Sequence, residues 1–476
     1  MNYDQSLLDA ILRRDLTAFI QKTFQTVSPG QAYQPNWHIQ AIAWQLQEVA
    51  AGRVKRLLIT IPPRHLKSIC ASVAFPAWML GHDPTRRVIC ASYSTDLATK
   101  HARDCRAVME TDWYRRVFPA TLLDPDKNAE LEFATTSRGS RYATSVGGTL
   151  TGRGGNLIII DDPMKAQDAM SEVKRQAVKD WYSNTLYSRL DNKVDGAMVL
   201  IMQRLHVDDL AGHILETSDW VHLNMPAIAE TPERCQVGDG QFHHRRIDEL
   251  IDPRRESAAV LEDLKRTLGS YDFSAQYQQT PAPPGGAMIK LNWFSRYRQH
   301  PGYEEGDVIV QSWDTAAKAT EISNFSVCTT WYRKKDEFYL LDVFRARLDY
   351  PALKRKVVEL RQRFDRMRMP IKVLIEDKSS GTQLIQELRE QKLVRATAVI
   401  PEGDKIMRMH AQSSKIEAGQ VHVPFEAPWL QDFETEMMQF PNGKFDDQVD
   451  SVSQFLGWVD YRRRNRFSCG RIVGAV

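Results

Sequence analysis

The sequence predicts an α/β protein of successive domains, and three observations carry that prediction. A β-branched run, VKRLLITI (54–61), stops at two prolines and restarts behind Lys67 and Ser68 as SICASVAFPAWML. A second apolar run, NLIIIDDP (156–163), ends in two carboxylates where a strand should close. Past a Pro/Gly-rich stretch, YQQTPAPPGGAMIK (277–290), the pattern changes to strands that again finish on acids.

The bulk numbers set the frame. A chain of 476 residues has room for about three domains. Its 42% apolar and 26% charged residues suit a globular protein with several cores. No apolar run approaches the roughly 20 residues needed to span a bilayer, so no membrane is expected. The opening MNYDQSLLDAILRRDLTAFI reads as an amphipathic helix of mixed charge rather than a signal peptide. The six cysteines, at 70, 90, 105, 235, 328 and 469, lack CxxC spacing and read as reduced, mainly buried thiols of a cytoplasmic protein. With 63 basic against 60 acidic side chains, a histone-like binder is excluded, whereas a local basic channel is not.

The first element, strand-loop-Lys-Ser-helix, has the order that phosphate binding requires. A helix start supplies unpaired N–H groups and partial positive charge. Lys67 would reach the β- and γ-phosphates, and the Ser68 hydroxyl a magnesium ion. The usual pattern places glycine at 61 and 66, where this chain has Ile61 and Leu66, and Pro62 and Pro63 carry no N–H. The cradle would then be the N–H groups of Arg64, His65, Leu66, Lys67 and Ser68, with Ile69 next. An ordinary strand-turn-helix is the competing reading. The downstream LIIIDDP favours the nucleotide: Asp161 fits the acid that holds Mg²⁺, and Asp162 the acid that polarises the attacking water. RVICASYS (87–94) lies between them as a further strand, and AMVLIMQRLH (197–206) follows. That strand ends in Gln203 and Arg204, at the carboxyl end that faces the ligand crevice. Gln203 is a candidate γ-phosphate sensor; a plain turn with Asp208 or Asp209 capping the next helix is the alternative.

In this order the residues resemble the large terminase subunit of tailed bacteriophages, the motor that packages DNA. PPRHLKS is similar to its glycine-poor Walker A, LIIIDDP to its Walker B, MQRLHVDDLAGHI to its coupling motif, and TLTGRGGNLIIIDD to its glycine-rich approach to Walker B. YQPNWHIQAI (33–42) resembles the segment that contacts adenine, which implies Gln34 or Gln40, although Trp37 and His38 equally suit core packing. Leu66 and Asp162 depart from the family, which commonly has glycine and often glutamate there. The resemblance implies a P-loop ATPase of additional-strand (ASCE) type. It also makes Arg153, and less so Arg141, an arginine finger for a neighbouring subunit, against the alternative of a plain surface arginine.

From 226 to 300 the periodicity weakens. LEDLKRTLGSYDFSAQYQQ reads as a helix pair, a small lid on the ATPase. His243 and His244 sit in a polar run and read as solvated rather than metal-binding. Beyond the Pro/Gly run come DVIVQSWDTA, NFSVCTTWYRK and EFYLLDVFRAR, a helix over 351–368, and IKVLIEDKSSG. Three strands, a helix and another strand resemble an RNase H-like nuclease. Asp314 ends the first strand and Glu376 the fourth. KFDDQVDSVSQFLGW places Asp446 and Asp447 at a helix start and Asp450 within its first turn. Such acids repel one another unless a cation joins them. Two Mg²⁺ or Mn²⁺ about 3.5–4 Å apart would activate water and stabilise the leaving oxygen of a phosphodiester. Lys378 would orient phosphate or simply be solvated.

The expected organisation is an ATPase over 1–225, lid and linker over 226–300, an RNase H-like nuclease over 301–460 and a basic tail over 461–476. The resemblance implies packaging of double-stranded DNA into a procapsid and cutting of concatemers. It also implies a pentameric ring on the portal protein, a small terminase subunit that delivers DNA, and action in the host cytoplasm. Two other readings stay open here: an ATP-dependent translocase or helicase whose second domain binds without cutting, and a scaffold with a vestigial nucleotide site.

Overall fold

The computed structural model describes residues 3–281, 288–315, 325–378, 380–441, 443 and 445–469, with Tyr3 and residues 462–469 described by backbone alone. The chain divides into two compact units, Met1–Pro284 and Gly285–Val476. The boundary falls inside the stretch read as lid and linker, so the helix pair belongs with the first unit. The linker core at 282–287 and the tail beyond Cys469 lie outside the described residues.

The first unit is built on an eight-stranded sheet. Its spatial order is Leu123–Asn128, Glu132–Thr135, Ser140–Ser145, Arg87–Ser92, Leu157–Asp161, Ala197–Met202, Arg56–Thr60 and Val221–Asn224. From Ser140–Ser145 onward every neighbouring pair is parallel; the first three strands pair antiparallel. Ala197–Met202 lies between the strand that leads into the phosphate loop and the strand that ends in Asp161. That inserted strand is the additional-strand order. The central strands read as nearly unbroken apolar runs because helices cover both faces. Their side chains alternate between two cores. Leu57, Ile59, Val199 and Ile201 join one, with the helices Leu16–Val27, Trp37–Ala50 and Thr95–Glu110. Leu58, Ile158, Ile160, Met198 and Leu200 join the other, against Trp181, Tyr182 and Leu186. Burying each such side chain contributes about 1.5–3 kcal/mol, so the sheet is the rigid platform for whatever its strand ends carry.

Three local features differ from the sequence reading. The N-terminal helix is two, Tyr3–Arg14 and Leu16–Val27, because Asp15 adopts an extended conformation and caps the second through Thr17 N–H. The helix after the phosphate loop opens with a π-type turn over Ile69–Ala74 before continuing as Phe75–His82. The polar run that holds His243 and His244 is a hairpin, Glu233–Gly238 with Gln241–Arg245. His244 is exposed, as read, whereas His243 is half-buried with its ring stacked on Trp37 at 4.4 Å. Buried Arg245 pins the hairpin through the carbonyls of Pro226 and Glu249 and the carboxylate of Glu233.

The second unit has a seven-stranded sheet in the order Ser295–Tyr297, Val421–Pro424, Glu337–Ala346, Ser326–Lys334, Val308–Asp314, Ile371–Glu376 and Ala396–Val399. Val308–Asp314 is antiparallel to Ser326–Lys334 and parallel to Ile371–Glu376. Trp313 is level with Ile375, so Asp314 and Glu376 emerge side by side at the carboxyl ends of adjacent strands.

The long helix Asp447–Cys469 runs through the start of the segment read as a tail. It is registered on the sheet by a buried polar seam. Ser451 Oγ donates to the Ser312 carbonyl at 2.7 Å and lies 2.7 Å from Thr329 Oγ1. Gln454 Nε2 donates to Ser312 Oγ at 2.8 Å. Asp447 and Asp450 stand one turn before Ser451 and Gln454, hence on the same helix face.

Candidate functional sites

The first site forms where strands Arg56–Thr60, Leu157–Asp161 and Ala197–Met202 end together. The phosphate loop reaches its turn without glycine. Arg64 has φ +66° and Leu66 φ +61°, both in the left-handed region that normally favours glycine. The departure at Leu66 is therefore a change of residue and not of backbone shape. Leu66 packs against the core beneath the loop, which compensates for its conformation. His65 is fully buried, with Nδ1 2.9 Å from the Pro63 carbonyl oxygen. Arg64 is exposed, Lys67 is buried, and Ser68 and Ile69 are half-buried.

Strain of this kind has a measurable signature. Leu66→Ala keeps the left-handed conformation and loses the packing. Leu66→Gly loses the same packing but releases about 1–2 kcal/mol of strain, less the roughly 0.5–1 kcal/mol that glycine costs in chain entropy. In urea titrations the glycine variant is expected to be the more stable of the two by about 0.5–1 kcal/mol. The opposite order would mean that position 66 is not left-handed.

The two acids are held differently. Asp161 is buried and accepts from Ser68 Oγ at 3.1 Å and Ser72 Oγ at 2.7 Å. Burial pushes its carboxyl above the usual range, while Ser72, Lys67 and Ser68 pull it back. His101 Nδ1 stands 3.5 Å from it. Burial pushes that imidazole down to about 4, so it faces the carboxylate as a neutral ring. Asp162 has φ +45° and pairs with Lys67 Nζ at 2.8 Å. Its Oδ1 accepts the Gln203 backbone N–H at 3.2 Å. Burial and the neighbouring Asp161 raise it, and Lys67 opposes both. An open cavity of about 470 Å³ lies against Asp162 and Gln203, lined also by Tyr93, Met164, Lys165 and Gln167. The structure thus brings Lys67, Ser68, Asp161, Asp162 and Gln203 together. A serine hydroxyl and a carboxylate side by side, with an ammonium next to them, suit a magnesium–triphosphate ligand.

The surrounding predictions divide. Asp209, not Asp208, caps the helix Leu210–Thr217, accepting Gly212 N–H at 2.8 Å. Arg153 is half-buried, paired with Glu132 at 2.6 Å and lying 3.9 Å over the Tyr142 ring. Arg141 is a correction: it is fully buried and donates to the Ser72 carbonyl at 3.0 Å, so it cannot be offered to another subunit. His38 is buried in the core, as the packing reading has it, and Gln34 and Gln40 are exposed.

The second site gathers the late acids. Asp314 is forced well above the usual aspartate value, first by burial and then by the carboxylates of Asp450, Glu376 and Asp447. These four therefore share one electrostatic neighbourhood. Asp447 is pushed up to about 6, mainly by burial, and accepts Phe325 N–H at 3.3 Å. Asp450 pairs with Arg408 at 2.7 Å. Asp446 is bound by Lys405, and its charge helps raise both Asp447 and Asp450. Lys378 is exposed. Among the described residues, no group of three or more His, Cys, Asp or Glu is arranged closely enough to hold a metal ion as it stands. Four hard-oxygen acids from three elements nevertheless fit the donor chemistry of Mg²⁺ or Mn²⁺.

Sequence reasoning missed what positions these acids. Buried Glu436 accepts the Gln448 N–H at 2.6 Å at the start of the long helix, a carboxylate on the positive end of the dipole. At Gly381, in the first turn of helix Ser380–Glu390, a Cβ would fall 2.0 Å from the Glu376 carbonyl oxygen, so only glycine allows this helix to approach the strand end. The glycine in EDKSSG was the one visible signal.

Fold and sites together define a class: a P-loop ATPase unit followed by an RNase H-like unit with converging carboxylates. Residues 311–457 match the family model of the terminase RNaseH-like domain. The large terminase of a thermophilic bacteriophage matches with a TM-score of 0.53 and 12% identity, over 90% of this chain and 99% of that one. The HK97 bacteriophage large terminase matches over 94% of this chain and 99% of that one, at 10% identity and a TM-score of 0.36. No curated protein matches. Residues 311–457 thus carry a terminase RNaseH-like domain, and the chain shares the fold of that bacteriophage large terminase along most of its length. No helix among the described residues is long and apolar enough to cross a membrane.

Proposed function

We propose that residues 1–225 hydrolyse ATP with Lys67, Ser68, Asp161, Asp162 and Gln203, that the lid lies within 226–281, and that 301–460 cut DNA with Asp314, Glu376, Asp447 and Asp450. The observation that supports this best is that each unit presents repelling carboxylates, wholly or partly buried, at the ends of its central strands. Magnesium bound with the nucleotide would supply positive charge against the β- and γ-phosphates, and Mg²⁺ or Mn²⁺ in the second unit would supply it against the scissile phosphate. Ser68 and Asp161 would hold the first ion. Lys67 would leave Asp162 for the γ-phosphate, freeing that carboxylate to orient water and accept a proton. Gln203 would register the γ-phosphate, Gln34 would contact adenine, and Arg153 would reach a neighbouring subunit's nucleotide. In the nuclease, Asp446 has a supporting place beside Lys405.

Grip on double-stranded DNA would be through backbone phosphates, hence salt-sensitive and nearly sequence-blind. The remaining partners follow from the family: a pentameric ring on the portal protein of the procapsid, a small terminase subunit, and action in the host cytoplasm. One preparation of the full chain tests both chemistries. DNA-stimulated ATP turnover and Mn²⁺-dependent plasmid cutting are expected together. Turnover without cutting under any divalent cation would favour a translocase that only binds DNA.

A further inference from the structure

The hydrolytic end of the first unit is tied to the lid helices by a single loop. After strand Ala197–Met202, two consecutive backbone N–H groups diverge. Gln203 N–H donates to Asp162 Oδ1 at 3.2 Å, and Arg204 N–H donates to the side-chain Oε1 of Gln279 at 3.0 Å. Only the two dihedrals of Gln203 separate these N–H groups, because each peptide unit is itself rigid. Gln279 is 4% exposed, so the loss of its hydrogen bond with Arg204 is not made good by water.

The other half of the Gln279 amide is also engaged. Its Nε2 donates to the Gln276 carbonyl at 2.5 Å, at the end of helix Ser270–Gln276, which packs with Ala258–Leu268. Neighbouring groups keep the connection stiff. Ala227 N–H donates to the Tyr277 carbonyl at 2.7 Å, and Gln278 binds both the N–H and the carbonyl of Ile228 at 3.0 Å. Arg204 is fixed by Asp209 at 3.0–3.1 Å. Gln279 has φ +56°, an uncommon backbone for a residue with a side chain, which the surrounding bonds maintain. In sequence, Gln279 lies near the start of the Pro/Gly-rich run, two residues before its first proline, Pro281.

We propose that Gln279 is a positioning residue that transmits the state of Asp162, through the Gln203–Arg204 turn, to the lid helices. The proposal rests on Asp162 being the hydrolytic acid. A shift of Asp162 on losing Lys67 to a phosphate would turn Gln203 N–H, redirect Arg204 N–H and load the Gln279 amide.

Two variants of the full chain test this. Gln279→Met keeps the volume and removes both the acceptor for Arg204 N–H and the donor to the Gln276 carbonyl, while Gln279→Glu keeps the acceptor and gives up only the donor. Hydrogen–deuterium exchange over 258–281 is compared with and without the analogue ATPγS, alongside kcat and KM for ATP. In the unmodified chain the analogue is expected to change exchange in this segment. Gln279→Met should abolish that response and lower kcat about tenfold with KM within about twofold, and Gln279→Glu should restore the response. An exchange response that persists in Gln279→Met overturns the relay. So does a rise in KM equal to the fall in kcat, which would mark general damage to the site. Failure of ATPγS to bind the unmodified chain would overturn the ATP site itself, and the relay with it.

Discussion

Lys67→Ala is expected to lower ATP turnover about 10³-fold or more, close to 4 kcal/mol of lost transition-state stabilisation. Mn²⁺-dependent plasmid cutting by the same protein should remain within about twofold of the unmodified chain. The loss is large because the proposed mechanism gives Lys67 two tasks. It would carry the positive charge nearest the phosphates, and its transfer away from Asp162 would free the acid that handles water. The 2.8 Å pair already present makes that exchange local, with no rearrangement of the fold. Without Lys67, Asp162 keeps its burial and its neighbour Asp161 and loses the cation that opposes both, so its carboxyl should rise further. Unchanged turnover in Lys67→Ala would place hydrolysis elsewhere in the chain.

Asp314→Asn is the complementary case. Plasmid cutting should fall about 10³-fold while ATP turnover is kept. The same substitution should raise thermal stability in chelator, and the sign follows from the titration. Asp314 holds its proton to a higher pH when folded than the ordinary value of 3.8, because burial and then Asp450, Glu376 and Asp447 disfavour its charge. Between the unfolded and folded values the native state binds more protons, so stability falls as pH rises through that window. The penalty grows as pH rises above the ordinary value, and asparagine removes it. A gain of about 2–4 °C, vanishing toward pH 4, corresponds to about 1 kcal/mol in a unit of this size. A loss of stability at pH 8 would show that the carboxylate is compensated by a partner.

How much of this was legible in the sequence depended on apolar periodicity. The strands before Lys67, Asp161, Gln203, Asp314 and Glu376 are short β-branched runs with polar ends, and all five lie as read. The same logic placed Asp447 and Asp450 on one face of a helix. The hairpin Glu233–Arg245 was illegible because QVGDGQFHHRR has no apolar alternation; it is held by Arg245 on backbone carbonyls and by His243 on Trp37. Nothing in a leucine announces φ +61°, so the shape of the phosphate loop at Leu66 was equally hidden. Arg141 looked like any strand arginine, and only its burial shows that it faces inward. Contacts between distant segments, such as Gln279 with Arg204 or Ser451 with Ser312, leave no local pattern to read.

The most direct test is a crystal of the full chain with Mn²⁺ and a non-hydrolysable ATP analogue, read by manganese anomalous scattering. Manganese is expected at the analogue's phosphates beside Ser68 and Asp161, and separately among Asp314, Glu376 and the Asp447–Asp450 turn. Saturating Mn²⁺ that leaves either place without a peak, or that binds only at surface acids, would contradict a chain in which two carboxylate clusters each hold cations against phosphate.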